Sequence, residues 1–239
     1  MISAIKTLLS LCVVLALATP SFAVFNLQVT EIWPGNEPGS ELSEDWFEIT
    51  NFGDTTWTAA IDGDLYFDDA SIDPTAADLI SEVDAIGPGE SAIFVDGGQQ
   101  GALDWFLLWD DVLSDPNALL LGSYDGAGLG GGGDTVAIFL DSNFDGPQIG
   151  ELLATGSYPE ADSNGGQSYD TRLGQFSVVG NRNGAFATTV LNDIGQAAIG
   201  SPGMAPVPEP SALGLCGLGL LMAACVRRRR HRLQSARVG

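Results

Sequence analysis

Between Val24 and Pro206 the chain has no lysine, no histidine and no cysteine, and its only cations there are Arg172 and Arg182. Each absence removes a chemistry. Without His, Lys or Cys, this region cannot assemble a Ser-His or Cys-His nucleophile, a lysine Schiff base, or a zinc site built on imidazole or thiolate. Cys12, Cys216 and Cys225 all fall outside it, so no disulfide framework supports it and its stability must come from a hydrophobic core, with or without bound ions. Two arginines cannot neutralise a phosphate backbone, which argues against nucleic acid as a partner.

Carboxylates are what the region has. Thirty Asp and Glu against two Arg leave it at a net −28, where the whole chain carries −22. Such a surface keeps an exported protein soluble and makes water and divalent cations its natural companions. A length of 239 residues accommodates one sandwich-sized domain plus targeting segments.

The first 23 residues, "MISAIKTLLSLCVVLALATPSFA", read as a signal peptide. Lys6 supplies the charge, Leu8 to Ala18 the apolar core and Pro20 the break, and small residues stand at Ser21 and Ala23, so cleavage is expected after Ala23. The competing reading, an uncleaved anchor, requires a longer apolar run than this one.

A second targeting pattern occupies residues 204–239. From Ser211 to Val226 the apolar run "SALGLCGLGLLMAACV" has 16 residues. As a helix it spans about 24 Å, against a hydrocarbon thickness of about 30 Å. Arg227, Arg228, Arg229 and Arg230 follow and would stay cytoplasmic, leaving the acidic region outside the inner membrane. Immediately before the run stand Val207, Pro208, Glu209, Pro210 and Ser211. This ending resembles the PEP-CTERM sorting signal of Gram-negative bacteria. The resemblance implies an exosortase, a membrane cysteine protease that cuts near the motif, and release or transfer of the protein to the cell surface. Prolines stiffen the segment into an extended strip that a protease can grasp, and a marginal helix is easily surrendered. A permanent single-pass anchor with a proline-rich stalk is the plainer alternative.

Within residues 24–203, short alternating segments recur between turn signals: "LQVTEI" (27–32), "WFEITN" (46–51), "SAIFVD" (91–96), "DTVAIFLD" (134–141) and "FATTVL" (186–191). Phe47 and Ile49 are expected to face a core, with Trp46, Glu48 and Thr50 facing outward. Helical periodicity is scarce; Pro74 to Ile86 could form a helical turn or two, and Ala102 to Leu113 fits either buried strand or helix. Stretches 87–91, 125–134 and 163–168, rich in Gly, Asp and Ser, are loops.

These pieces, in this order, resemble the lamin-tail domain, an immunoglobulin-like β-sandwich. "VTEIWPG" with Glu31 is similar to its opening strand, and "DWFEITNFGDTTW" with Asp45, Trp46, Glu48, Asn51 and Gly53 to its most recognisable motif. "IGPGESAIFV", "GGGGDTVAIFLD", "GGQSYDTR" and the closing "GSPG" continue the likeness to Gly203. The family's Leu-Ser-Gly-Trp is here "WTAAIDGDLYF", which leaves Tyr66 or Phe67 to take the place of that tryptophan. The expected fold is therefore an all-β, immunoglobulin-like sandwich over residues 24–203. A signal peptide precedes it and a single transmembrane helix (211–226) with an Arg-rich end (227–239) follows.

Two motifs bear on chemistry. Gly126, Gly128 and Gly131 spell G-x-G-x-x-G, but that fingerprint binds pyrophosphate only where a strand meets a helix N-terminus, and here another strand follows. Asp141, Asn143 and Asp145 in "DSNFDG" have the alternating oxygen spacing of a calcium loop, with Gly146 to turn it. The twelfth position is Leu152 instead of a bidentate Glu, and the same residues suit a plain turn, which is the preferred reading. Calcium remains the one cofactor the sequence raises.

Two function classes follow. The first is a non-enzymatic surface or matrix protein, delivered by an exosortase-type protease and acting in adhesion or structure within the envelope or extracellular polysaccharide. The second is a secreted calcium-dependent carbohydrate-binding protein or carboxylate-using hydrolase, which needs two carboxylates flanking a sugar cleft. The missing His and Lys favour the first.

Overall fold

A computed structural model describes residues 24–35, 42–115, 118–161, 166–180, 183–192 and 195–205. The chain divides into two compact units, Met1–Ala205 and Pro206–Gly239. The expected signal peptide, the sorting motif and the transmembrane run lie outside the described residues. Among those described, no helix is long and apolar enough to cross a membrane.

The described chain is mostly strands, as expected of an all-β protein. Strands β1 (Leu27–Trp33), β2 (Trp46–Asn51), β7 (Ser91–Val95), β8 (Leu120–Ser123), β11 (Tyr169–Asp170) and β12 (Gln175–Phe176) form a six-stranded sheet in the order β12-β11-β1-β2-β7-β8. A four-stranded sheet, β10-β9-β4-β5, is built from β4 (Asp64–Asp68), β5 (Asp78–Leu79), β9 (Asp134–Asp141) and β10 (Leu152–Tyr158). Two further pairs join β3 (Trp57–Thr58) to β6 (Ala85–Ile86) and β13 (Phe186–Leu191) to β14 (Ala197–Gly200). A single helical turn, α1 (Ala59–Asp62), follows β3, and a longer helix, α2 (Gly98–Trp109), links β7 to β8. That last pair is parallel, and a parallel pair needs such a crossover.

Helix α2 settles the ambiguity of Ala102 to Leu113 in favour of helix over its first part. Gly101, Trp105, Leu108 and Trp109 are buried at helical spacing, while Leu103 and Leu107 are exposed. Pro74 to Ile86, by contrast, forms a turn and the short strands β5 and β6. Its opening residues are captured locally: the amide of Thr75 donates to Oδ1 of Asp73 at 2.9 Å, and the amide of Asp73 donates to Oδ2 of Asp68 at 2.6 Å. Side chains that bond the backbone in this way compete with helix.

A bulge in β1 organises everything else. Between Val29 and Glu31 the register with β2 shifts, so Val29 pairs with Ile49 while Glu31 pairs with Glu48 and Trp33 with Trp46. One extra residue moves every later side chain to the opposite face. Leu27, Val29 and Ile32 thus join Phe47 and Ile49 in the core between the two sheets, where Leu65, Phe67, Val136 and Ile138 meet them. Phe67 packs on Phe47 and Tyr124 with ring centroids at 5.0 and 4.6 Å; Tyr66 is half-buried.

Glu31, Trp33, Trp46, Glu48 and Thr50 take the other face. The expectation that Trp46, Glu48 and Thr50 face outward is corrected here: all three are buried, with Trp46 and Thr50 at 0 % exposure. A further layer, α2 with β13 and β14, covers that face. Its centre is a cluster of four tryptophans, Trp33, Trp46, Trp105 and Trp109, joined by Phe186. Trp33 and Trp46 stack at 6.1 Å, and Trp105 meets Trp46 edge-on at 5.9 Å. Offset and edge-on pairs of this kind add to simple area burial.

The turn from β7 into α2 depends on Gly101. A Cβ there would lie 1.8 Å from the carbonyl oxygen of Asp96. Gly101→Ala is therefore expected to destabilise the protein by about 1–3 kcal/mol, although alanine is the better helix former. A urea midpoint equal to or above that of the wild type would disprove the tight contact.

Candidate functional site

The bulge sets two glutamates side by side on the outer face of the six-stranded sheet. Glu31 and Glu48 are direct cross-strand partners, and Asp170 of β11 is Glu31's partner on the other side. Like charges directly opposite one another repel, and burial sharpens the repulsion. The surroundings meet this with hydroxyls and amides. Oε1 of Glu31 accepts from the Ser168 hydroxyl and, at 2.7 Å, from the Ser201 amide. Oε1 of Glu48 accepts from the Thr30 hydroxyl at 2.5 Å and from the Thr50 hydroxyl at 3.3 Å, while its Oε2 accepts from the Gly203 amide at 2.5 Å. Oε2 of Glu31 is buried with no hydrogen-bond partner.

Burial, and then the charge of Glu48, push the Glu31 carboxyl up to about 8, against the pull of its Ser168 and Ser201 hydrogen bonds. Burial raises Glu48 as well, opposed by Thr30, Gly203 and Thr50 and reinforced by Asp170. A pair of coupled carboxylates is the raw material of acid–base catalysis. Access to the pair is narrow. The cavity they border, with Thr30, Asp170, Arg172, Ser201, Met204 and Ala205, is about 10 Å³. That admits one water and no sugar ring.

The other residues of the lamin-tail resemblance are also engaged inside the fold. Asp45, 2 % exposed, accepts from the amides of Gly35 and Leu129, both at 2.5 Å, and so ties the β1–β2 connection to the glycine-rich loop. Burial is the main reason its carboxyl is raised to about 6, with the two amides pulling it back and Asp96 and Glu44 adding to the rise. Asn51 donates to the carbonyls of Thr55 and Ile86 and accepts from the amides of Asn26 and Gly53, using its full bonding capacity.

Asp141, Asn143 and Asp145 form a turn. The two carboxylate oxygens of Asp141 accept from the amides of Asp145 and Gly146, at 3.2 and 2.9 Å, and Asn143 donates to Glu151 at 3.3 Å. The loop thus closes on the carboxylate of its own first residue. Among the described residues, no group of three or more His, Cys, Asp or Glu side chains is placed to hold a metal ion. Gly126, Gly128 and Gly131 lie in the loop from β8 to β9, with a strand and not a helix beyond them.

Sequence reasoning identified Glu31 and Glu48 as motif residues but not as a buried pair. The available signal was a glutamate inside each of two strands that also carry large apolar residues: Glu31 beside Ile32 and Trp33, and Glu48 between Phe47 and Ile49. Val207 to Ser211 and Arg227 to Arg230 lie outside the described residues, and their assignment comes from comparison with known families. Comparison with curated proteins finds no match, and comparison with solved structures finds none either. Residues 206–230 match the PEP-CTERM protein-sorting motif, which takes in the proline-flanked Glu209, the apolar run and the arginine cluster, and indicates an exported protein sorted by an exosortase-type system after transient anchoring in the membrane.

Proposed function

We propose that the protein is a non-enzymatic module of the cell surface or extracellular matrix, with a lamin-tail-like sandwich as its exported part and adhesion or structural support as its role. The observation that carries this reading is the use of the motif's polar side chains. Glu31, Asp45, Glu48 and Asn51 each spend their hydrogen bonds on backbone or hydroxyl groups of the fold itself. They act as fasteners between strands and loops. A dense negative surface suits a protein that must stay hydrated within a polysaccharide gel.

Purified protein is expected to be retained by exopolysaccharide isolated from the host, and to release neither reducing sugar nor phosphate from it. Turnover well above that of buffer, abolished by a carboxylate-to-amide substitution, would replace this reading with the hydrolase.

A further inference from the structure

The last described residues, Ser201 to Ala205, form a closing segment laid over the outer face of the six-stranded sheet. Two of its amides are held by the glutamate pair: that of Ser201 by Glu31 and that of Gly203 by Glu48. Open space borders the segment on both sides. The 10 Å³ cavity lies against Ser201, Met204 and Ala205, and a groove of about 440 Å³ lies against Pro202, Gly203 and Met204. The segment itself turns at Gly203, whose φ is +74°, and is closed locally by the Met204 amide donating to the Ser201 carbonyl at 2.9 Å. Leu119 packs against Gly203 from the neighbouring loop.

We propose that Glu31 and Glu48 form a proton-dependent latch on this segment: while at least one of them is protonated the segment is clamped to the sheet, and when both are ionised water enters and the segment lifts. Geometry gives the direction. Two carboxylates in cross-strand register cannot both be charged in a dry site without large repulsion, and one oxygen, Oε2 of Glu31, already lacks a partner. Hydration relieves that cost, and the water-sized cavity beside the closing segment is where hydration begins. On the far side of the pair, the described residues pack closely. There the Trp109 ring and the Ser168 hydroxyl lie within contact of Gly200 and beside Glu31.

The charged groups that line the cavity with the pair are Asp170 and Arg172. Asp170 adds to the repulsion felt by Glu48. Its own Oδ1 is committed to the amides of Arg172 and Leu173. Thr30, Thr50, Ser168 and Ser201, which bond the pair, carry no charge, and neither does Ser91, which bonds Thr50. The latch therefore responds chiefly to the protons of Glu31 and Glu48. Since the chain continues from Ala205 into the matched sorting residues, lifting the segment leaves it unpinned from Gly200 onward, directly before the motif. This inference stands whether or not the adhesive reading holds.

Hydrogen exchange on the purified full-length protein tests it. After correction for intrinsic base catalysis, protection of the Ser201 and Gly203 amides is expected to fall between pH 6 and pH 9 by at least tenfold more than that of the β2 amides of Phe47 to Ile49, whose loss reports only the change in global stability. Glu31→Gln, which keeps the shape and the hydrogen-bond acceptor but not the charge, is expected to remove the fall, as is Glu48→Gln made separately in case the first variant folds poorly. Protection independent of pH in the wild type would overturn the latch. So would a fall shared equally by the β2 amides, which reports global unfolding, or a fall unchanged in both variants.

Discussion

Alanine at Pro208, Glu209 and Pro210 together is expected to abolish delivery of the protein and leave it as a full-length inner-membrane precursor. The three residues lie within the matched sorting motif, directly before an apolar run of 16 residues and a cluster of arginines. A span this short crosses the hydrocarbon only marginally, so the anchor serves the interval before processing rather than permanent residence. Wild-type protein recovered from outside the cell should accordingly lack the arginine cluster. A permanent single-pass anchor predicts an intact tail in both proteins. Mass spectrometry of the surface fraction separates the two: peptides from beyond Arg230 in mature wild-type protein would refute processing, and normal delivery of the triple variant would refute recognition of the motif. The effect is all-or-none, because the motif acts as an address and not as a contributor to stability.

Stability of the folded unit is expected to be greatest in the acid range and to fall steadily as pH rises through 8. The sign follows from which state holds the proton. Glu31 in the fold titrates near 8, whereas the same carboxyl in an unfolded chain titrates near 4.5. Below 4.5 both states are protonated and the group costs nothing. Between 4.5 and about 8 the native state keeps a proton that the unfolded state has lost, so stability falls with each pH unit across that window. Asp45 acts in the same sense between 3.8 and about 6. Repulsion among the 30 acidic residues of the exported region has the same direction. Urea midpoints measured from pH 5 to pH 9 should fall across the range, and Glu31→Gln should flatten the slope between pH 6 and 8 while raising stability at pH 8. A wild-type midpoint that stays level or climbs from pH 5 to 8 would show that the glutamate pair is ionised and solvated in the native state.

Much of the fold could be read from residue order. The alternation in "WFEITN" correctly separates Phe47 and Ile49 from Trp46, Glu48 and Thr50, because adjacent strand residues must point to opposite faces. What it could not say is that both faces are buried. That depends on α2 and the β13–β14 pair, which are distant in sequence and whose own apolar residues name no partner. The bulge at Thr30 was likewise illegible, since "LQVTEIW" alternates plausibly in either phase, and only pairing against β2 shows where the register slips. Asp141, Asn143 and Asp145 illustrate a different gap: a calcium loop and a plain turn use the same residue types, and that the Asp141 carboxylate accepts from the amides of Asp145 and Gly146 is visible only in three dimensions.

By itself the sequence determined the address and the range of chemistry. Proline-flanked Glu209, a short apolar run and four consecutive arginines are local features, and a protein that reads them needs no tertiary structure to do so. The absence of His, Lys and Cys from residues 24–206 is equally independent of folding. Tertiary structure alone decided what the carboxylates do. Thirty acidic side chains look alike along a chain. Folding takes Glu31, Glu48 and Asp45 out of water by covering one face of a sheet and the mouth of a loop, and desolvation depends on what the rest of the chain places above a residue, which no neighbour in sequence records.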